Sequence, residues 1–307
     1  MTQNTSGTSE ETRDSATSYF KLDRAEPAAG STAAEAQSAA GEAATTWDFT
    51  ATELTASPWG EGFQHGSPPA ALIAFLLEAG AQEAGLDPTR GRFARISVDL
   101  LGAVPLGALQ GRTTVIRPGK RISLLEAIVT DANGRECIRG RGWWLIGSDT
   151  TAVERSVAEK IPGPEQGHPA TQWLEHWSSG YIDSIDVIQV DLPEKQPGFA
   201  QGNAYAYWAR STFPTMAGYI DTAWTQLMKI VDIANGLNPQ LLSVQEWTYM
   251  NVEMSVNLHR LPVGEWTGIV AEANHGPDGI GTTIARIYDT SGPIGAVTQA
   301  IMLAPAS

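Results

Sequence analysis

The 307-residue chain has a single cysteine, Cys137, and only five histidines. One thiol cannot form an intramolecular disulfide, and no neighbouring thiol is available to share a metal ion, so a disulfide-stapled framework is excluded. The longest uninterrupted apolar run, 70–77, is far shorter than the roughly 20 residues that a membrane-spanning helix needs. We therefore expect a chain that does not cross a membrane.

Basic residues are also scarce. The chain has 20 Lys and Arg and 34 Asp and Glu, which gives a net charge of −14. This charge repels phosphate backbones and anionic lipid surfaces, so nucleic acid and membranes are not expected partners. The first twenty residues lack the basic and apolar segments of a secretory signal. Together with the single thiol, this predicts a cytoplasmic protein.

Short catalytic and metal-binding motifs are missing as well. The histidines are scattered, and neither HExxH nor paired CxxC occurs, so no metal site is predicted. No GxSxG nucleophile motif is present. Serine-hydrolase and zinc-hydrolase chemistry therefore have no support in the sequence.

Residues 1–46 are predicted to be a largely disordered tail. The Ser/Thr-rich start (1–16) and the Ala/Gly/Glu-rich segment 26–45 have too little apolar content to offset the entropy of ordering. Between them, Tyr19 and Phe20 are expected to dock as a short strand. On this interpretation a chain beginning at Thr46 should fold and remain active.

An internal repeat organises the chain from Trp47 onward. The first half contains GLDP (85–88), LGAVPLGALQG (101–111) and DANG (131–134), and the second contains GLNP (236–239), LHRLPVGEWTG (258–268) and DTSG (289–292). The offset between matching positions drifts only from 151 to 158. Two repeats in this order and spacing indicate a duplicated domain rather than a solenoid.

Each repeat is predicted to begin with a buried helix that four strands follow. Apolar residues recur at helical spacing over 73–80 and, at the offset of 151, over 224–231. Segments rich in β-branched and apolar residues predict strands at 93–101, 109–117, 122–131 and 136–146, and again at 246–258, 266–274, 281–288 and 295–303. A further run at 185–191 predicts an extra edge strand for the second unit.

A long helix against an antiparallel sheet, used twice, is the layout of an α+β double-hotdog fold. We expect an N-terminal unit at 47–147, a linker with an edge strand at 148–199, and a C-terminal unit at 200–307. Two fused units supply the interface that single units obtain by dimerising, so one chain should hold one complete site. An exposed sheet edge is also compatible with a homo-oligomer.

From Trp59 to the C-terminus the sequence resembles the TesB-like acyl-CoA thioesterases of the thioesterase-like superfamily. The resemblance is carried by PWGEGFQHGSPPAAL, VDIANGL, NVEMSVNLHRLPVGEW and GAVTQAIML. It implies hydrolysis of acyl-CoA to free coenzyme A and a carboxylic acid, with no cofactor. By position it also implies a water held by Asp232, Asn251 and Gln299, with Thr at the Asn251 position in some relatives.

Asp232 also stands out without the resemblance. It lies four residues after Met228, at the end of a predicted helix whose dipole disfavours an anion, and its counterpart in the first repeat is Ala81. The fold itself therefore does not need a carboxylate there. The alternative is a surface Asp at a frayed helix end, or one that caps the following turn.

The two amides show the same asymmetry between the repeats. Gln299 aligns with Arg141 and alternates onto one face with Val297 and Ile301, so it should point inward. Asn251 aligns with Ala94. A buried amide could equally be structural and tie two strands together.

His65, Gly66 and Ser67 precede and begin the first helix, where free backbone N–H groups can bind an oxyanion. The alternative for His65 is a helix-entry residue that only caps or packs. Lys120, Arg121 and Arg260 are expected near the cavity mouth as contacts for coenzyme A.

Two rival functions share this fold. A non-catalytic acyl-CoA-binding protein would keep the pocket without turnover. An enoyl-CoA hydratase would need a catalytic His beside an Asp, and the helix region shows no such spaced pair.

Overall fold

The computed structural model describes residues 17–27, 45–171, 178–192, 205–237 and 246–306. Helices α1 (Ser67–Glu83) and α2 (Ala223–Met228) lie in these ranges, and short 3-10 segments connect other elements. The strands of these ranges are β1 (Phe20–Pro27), β2 (Thr45–Ala51), β3 (Gly91–Leu100), β4 (Gly107–Arg117), β5 (Ile122–Asp131), β6 (Glu136–Ile146), β7 (His168–Pro169), β8 (Ile185–Asp191), β9 (Tyr205–Ser211), β10 (Trp247–Leu258), β11 (Thr267–His275), β12 (Ile280–Asp289) and β13 (Gly292–Pro305).

These strands form one antiparallel sheet in the order β1-β2-β4-β5-β6-β3-β10-β13-β12-β11-β9-β8-β7. The run β2-β4-β5-β6-β3 is matched in reverse by β10-β13-β12-β11-β9, with β3 and β10 paired where the halves meet. The register agrees with the sequence offsets. Ser97 pairs with Arg141, and their counterparts Met254 and Gln299 pair in the second half. The strand order therefore contains the duplication that the sequence predicted.

Helix α1 is the buried helix of the first half. Its apolar stretch from Ala70 to Leu77 is buried apart from Phe75, and it packs on β4, β5 and β6. Gly140 on β6 allows this close approach, because a Cβ at that position would collide with Ile73. No helix in the described ranges has both the length and the hydropathy to cross a bilayer.

The second half does not contain the predicted long helix. Helix α2 ends at Met228, and a 3-10 segment, Val231–Leu237, continues the chain. The backbone tightens because Ile230 and Ile233 each donate to the carbonyl three residues earlier. Asp232 therefore lies in a 3-10 segment, not in the last turn of an α-helix.

The N-terminal region also differs from the predicted disordered tail. Tyr19 and Phe20 dock as expected and are completely buried, but the strand is longer than expected: residues 20–27 form β1, which pairs with β2 and forms an edge of the described sheet. β2 starts at Thr45, inside the predicted tail. The segments 1–16 and 28–44 lie outside the described residues.

The linker prediction falls partly on described residues. β8 has the predicted bounds, 185–191, but the outermost described strand on that side is the two-residue β7. The stretches 172–177 and 193–204 lie outside the described residues.

The contact between α1 and α2 carries a pH-sensitive group. The pKa of Glu78 is raised from 4.5 to about 7, chiefly by burial; a 2.7 Å hydrogen bond from Thr222 Oγ1 opposes this rise, and nearby Asp221 contributes to it. Since the pKa is higher in the folded state, Glu78 costs stability as the pH rises from 4.5 through 7. A Glu78→Gln variant should therefore gain about 2 kcal/mol over wild type near pH 8 and little near pH 5. Chemical denaturation at both pH values measures this difference, and an equal effect at both would contradict it.

Candidate active site

The structure brings five of the predicted site residues together where the two halves meet. His65 and Gly66 come from the turn before α1, while Asp232, Asn251 and Gln299 come from the second half. The repeat asymmetry in the sequence therefore corresponds to one cluster to which both units contribute.

The Asp232 side chain is 6% exposed, and amides surround one of its carboxylate oxygens. Asn251 Nδ2 donates to Oδ1 at 2.6 Å, and Gln299 Nε2 lies 3.3 Å from the same oxygen. Within the described residues, no Lys or Arg forms an ion pair with this carboxylate. A buried anion held by neutral amides, without a charge partner, fits a reactive carboxylate better than a structural ion pair.

A β-bulge turns Asn251 toward Asp232. The register of β10 against β13 shifts between Asn251 and Glu253. Because the bulge adds one residue, the inward side chains are Tyr249 and Asn251 before it and Met254 and Val256 after it. Asn251 therefore points to the inner face. Without the bulge, strict alternation back from Met254 would have pointed it outward.

Gln299 lies on β13 with the buried Val297 and Ile301 on the same face, as its alternation predicted. It is 1% exposed, and its Nε2 also donates to the backbone oxygen of Asp232 at 3.2 Å. One side chain therefore fixes both the backbone and the carboxylate of Asp232. Its Oε1 is buried and has no partner among the described residues.

The turn before α1 offers fewer free N–H groups than the sequence suggested. Pro68 and Pro69 have no N–H, so Gly66 and Ser67 carry the backbone donors at this helix start. The N–H of Ser67 donates to His65 Nδ1 at 3.1 Å, and Ser67 does not line the cavity described below. The prediction of Ser67 as an oxyanion donor is therefore wrong, because its N–H is already bonded. The N–H of Gly66 has no hydrogen-bond partner in the described part of the chain.

His65 lies against the other oxygen of Asp232, with Nδ1 3.5 Å from Oδ2. Its ring stacks on Tyr181 with a centroid distance of 4.2 Å, and Tyr181 is held in turn by a hydrogen bond to Lys229 O. Burial lowers the pKa of His65, which favours the neutral imidazole, and Asp232 opposes that shift. Because Nδ1 accepts from Ser67, the neutral ring carries its proton on Nε2.

Gly66 is in direct contact with the carboxylate. A Cβ at this position would lie 2.5 Å from Asp232 Oδ2 and 2.9 Å from Cγ. Its φ of −64° suits any residue, so a substitution acts on Asp232 and not on the backbone.

A Gly66→Ala variant should therefore lower kcat by roughly ten- to a hundredfold through displacement of the carboxylate, while its melting temperature changes little. Steady-state kinetics and thermal unfolding test this. Gly60→Ala is the matched control, since a Cβ at Gly60 meets only the Phe63 ring, at 3.4 Å. Equal kcat values in the two variants would show that a methyl group at position 66 does not displace the Asp232 carboxylate from its working position.

A cavity of about 460 Å³ opens onto this cluster. Asp232, Asn251, His65 and Gly66 line it, together with mostly apolar side chains, while Gln299 stands behind Asp232 and does not line it. Trp59 from the first half and Tyr249 from β10 meet edge to face at 5.6 Å across its wall. The cavity thus combines a long apolar surface with a few converging polar groups, which is typical of a small-molecule site.

Several contributors were not predicted from the sequence. Tyr181 lies in the Pro- and Gly-rich linker, where no periodicity marks it. Tyr249 could have been found, since it is two residues before Asn251 and shares its face. In the described ranges, no group of three His, Cys, Asp or Glu residues is placed to hold a metal ion.

The cations expected to contact coenzyme A are not at this cavity. Arg260 forms a bidentate pair with the buried Asp289. Lys120 and Arg121 line a different cavity. None of the three therefore lines the cavity at Asp232, where the sequence analysis placed them.

Solved structures share this hotdog architecture. A candidate thioesterase of Novosphingobium aromaticivorans is 17% identical, with a TM-score of 0.64 over 84% of this chain and 94% of its own. A hot-dog-fold protein of Alicyclobacillus acidocaldarius is 12% identical, with a TM-score of 0.61 over 85% and 94%. An acyl-CoA thioesterase II of Mycobacterium marinum is 14% identical, with a TM-score of 0.59 over 79% and 91%. At these identities the likeness establishes the fold class.

Family profiles establish more than the fold. The profile of the acyl-CoA thioesterase N-terminal domain matches residues 55–145, and that of the C-terminal domain matches residues 163–303. The chain belongs to the acyl-CoA thioesterase family and is a thioester hydrolase. The resemblance drawn from the motifs is confirmed. No curated protein sequence matches the chain significantly.

Proposed function

We propose that this chain is a double-hotdog enzyme that hydrolyses acyl-CoA thioesters with a water activated by Asp232. The observation that carries the proposal is that the two oxygens of this carboxylate have different surroundings. Amides of Asn251 and Gln299 hold one oxygen, and the other faces Gly66 and His65 at the cavity. This leaves one oxygen oriented and available to a water in the cavity.

The reaction then runs through ordinary general-base hydrolysis. The oxygen of the water attacks the thioester carbon while Asp232 accepts a proton from this water. The thioester carbonyl then becomes an oxyanion. When the carbon–sulfur bond breaks, the proton returns to the leaving thiolate, so that coenzyme A and the carboxylic acid are the products. The amide groups donate to Asp232 in this scheme and orient it, instead of binding the water themselves.

The Gly66 N–H is the donor assigned to the oxyanion. It is the backbone donor at the start of α1 that remains unpaired among the described residues, and the helix dipole favours negative charge there. The neutral His65 adds a second donor at Nε2. No metal or other cofactor enters this mechanism.

The apolar part of the cavity is assigned to the acyl chain and the adjoining arm of coenzyme A. Trp59, Phe63 and Met250 line the cavity and are each more than 40% exposed, so they offer apolar surface to a ligand there. A chain with a single thiol fits the reducing cytoplasm. We therefore assign its substrate to the acyl-CoA of the cytoplasm, an intermediate of fatty acid metabolism.

A hydratase remains the second candidate because the structure does place a His beside an Asp, which the sequence did not indicate. The geometry favours the thioesterase. His65 Nδ1 accepts from Ser67 N–H, so it carries no hydrogen to donate to Asp232, and Asp232 does not orient it as a paired acid and base require.

Thiol release over a panel of acyl-CoA chain lengths tests the proposal. We expect turnover of at least one saturated acyl-CoA, whereas the ultraviolet absorbance of an enoyl-CoA should not show hydration of its double bond. Tight binding without thiol release at any chain length would instead identify a binding protein. Single turnover in ¹⁸O-labelled water tests for the covalent route, because label in the Asp232 carboxylate would show that an anhydride had formed and been hydrolysed at the aspartyl carbon.

A further inference from the structure

A second cavity, of about 570 Å³, lies at the opposite end of α1 from Asp232. It is lined by the turn after α1, the hairpin between β4 and β5, and the end of β6. It shares no lining residue with the cavity at Asp232. The 17 residues of α1 separate the two by about 25 Å, at 1.5 Å per residue.

Three cations surround this cavity: Arg90, Lys120 and Arg121. All three side chains are exposed, and none forms an ion pair within the described residues. One carboxylate, Asp87, also lines the cavity, and its Oδ1 accepts from both the N–H and the Oγ1 of Thr89. The cavity is therefore locally positive on a chain whose net charge is −14.

The backbone holds these cations on one rim. Arg90 O accepts from Gly147 N at 2.7 Å, and Arg121 O accepts from Ile146 N at 3.0 Å. The two arginines therefore flank the end of β6 from opposite sides, and Lys120 precedes Arg121 in the hairpin. These hydrogen bonds fix the backbone of the two arginines beside β6, and the exposed side chains of all three cations line the cavity. Arg90 also interacts electrostatically with Asp87.

The repeat shows that the fold does not require these charges. At the offset of 158, which superposes the starts of β5 and β12, Lys120 and Arg121 correspond to Asp278 and Gly279. At the offset of 157 that holds for β3 and β10, Arg90 corresponds to Trp247. The same structural positions thus carry a cluster of cations in one unit only.

We propose that this second cavity binds a nucleoside phosphate. The guanidinium groups and the ammonium would hold the phosphate, for which arginine offers paired donors. Apolar side chains of the lining, Leu86, Val115, Trp144 and Ile146, would contact the base and ribose. A purely inorganic anion would leave this apolar surface unused, and a purely apolar ligand would leave the cations unused.

Calorimetric titration with ADP, and separately with inorganic phosphate, tests the proposal. We expect saturable ADP binding with a Kd of about 10–100 µM at low salt, weakening as salt screens the charges, and phosphate binding at least roughly tenfold weaker. The triple variant Arg90→Gln, Lys120→Gln, Arg121→Gln should lose at least roughly tenfold in ADP affinity. The double variant Lys21→Gln, Arg155→Gln, which removes exposed cations elsewhere, should bind ADP like wild type.

The Michaelis constant for acyl-CoA in the triple variant identifies the source of the ligand. An unchanged KM assigns the site to a free nucleotide, and a raised KM assigns it to the adenosine phosphate of the substrate. Absence of saturable ADP binding, or binding that the triple and control variants weaken equally, would overturn the proposal. Thioesterase activity in the wild-type protein is measured independently, so either result leaves the proposed hydrolysis to be judged on its own test.

Discussion

Replacement of Asp232 by Asn should lower kcat about a thousandfold while the melting temperature stays close to that of wild type. The amide keeps an oxygen at the Oδ1 position, so the hydrogen bonds from Asn251 and Gln299 can persist. What it loses is the ability to accept a proton from water. Thiol-release kinetics together with thermal unfolding separate this chemical loss from a structural one.

The repeat supplies the matched control for this prediction. Ala81→Ser places a polar group at the equivalent position of α1, which is buried but remote from the cluster, and it should leave kcat unchanged. An Asp232→Asn enzyme with wild-type kcat would refute Asp232 as the base. A large drop in its melting temperature would instead identify the carboxylate as a structural group.

The duplication and the position of the site could be predicted because both depend on spacing. The strand register keeps the sequence offsets near 157. Where one repeat has a polar residue and the equivalent position of the other repeat has an apolar one, the fold itself does not require the polar side chain. Asp232 and Ala81 are such a pair. Gln299 was placed correctly because β13 alternates regularly on both sides of it.

Other features depend on contacts that local patterns do not encode. The bulge after Asn251 depends on the pairing of β10 with β13. The hydrogen bond from Ser67 N–H to His65 Nδ1 depends on the rotamer of His65, which residue spacing does not specify. Tyr181 reaches His65 across more than a hundred residues of sequence. The bulge and the contact of Tyr181 with His65 are thus tertiary effects that a local sequence pattern does not show.

The short strand expected at Tyr19 and Phe20 is present, but composition did not indicate its length or its contacts with both units. The role of this strand leads to the second large expected effect. Phe20 N–H donates to Thr215 O and its carbonyl accepts from Ala217 N–H, while Thr52 N–H donates to Tyr19 O. Tyr19 Oη also meets Ser184 and Ser211 at 2.7 and 2.9 Å. This segment therefore connects β2 of the first unit to the loop before α2 in the second, and it fills the core with two aromatic rings.

A chain beginning at Thr46 should consequently fail to fold or should aggregate, in contrast to the expectation from composition. It loses all of β1 and exposes the surface that Tyr19 and Phe20 cover, and truncation of a buried Phe alone typically costs about 3–5 kcal/mol of a total stability of about 5–15 kcal/mol. Size-exclusion chromatography and circular dichroism give the readout. A chain beginning at Thr17 keeps the segment and should match the full-length protein, and Phe20→Ala should lower the melting temperature by roughly 10 °C or more. A folded, active chain beginning at Thr46 would show that β1 is dispensable despite its burial.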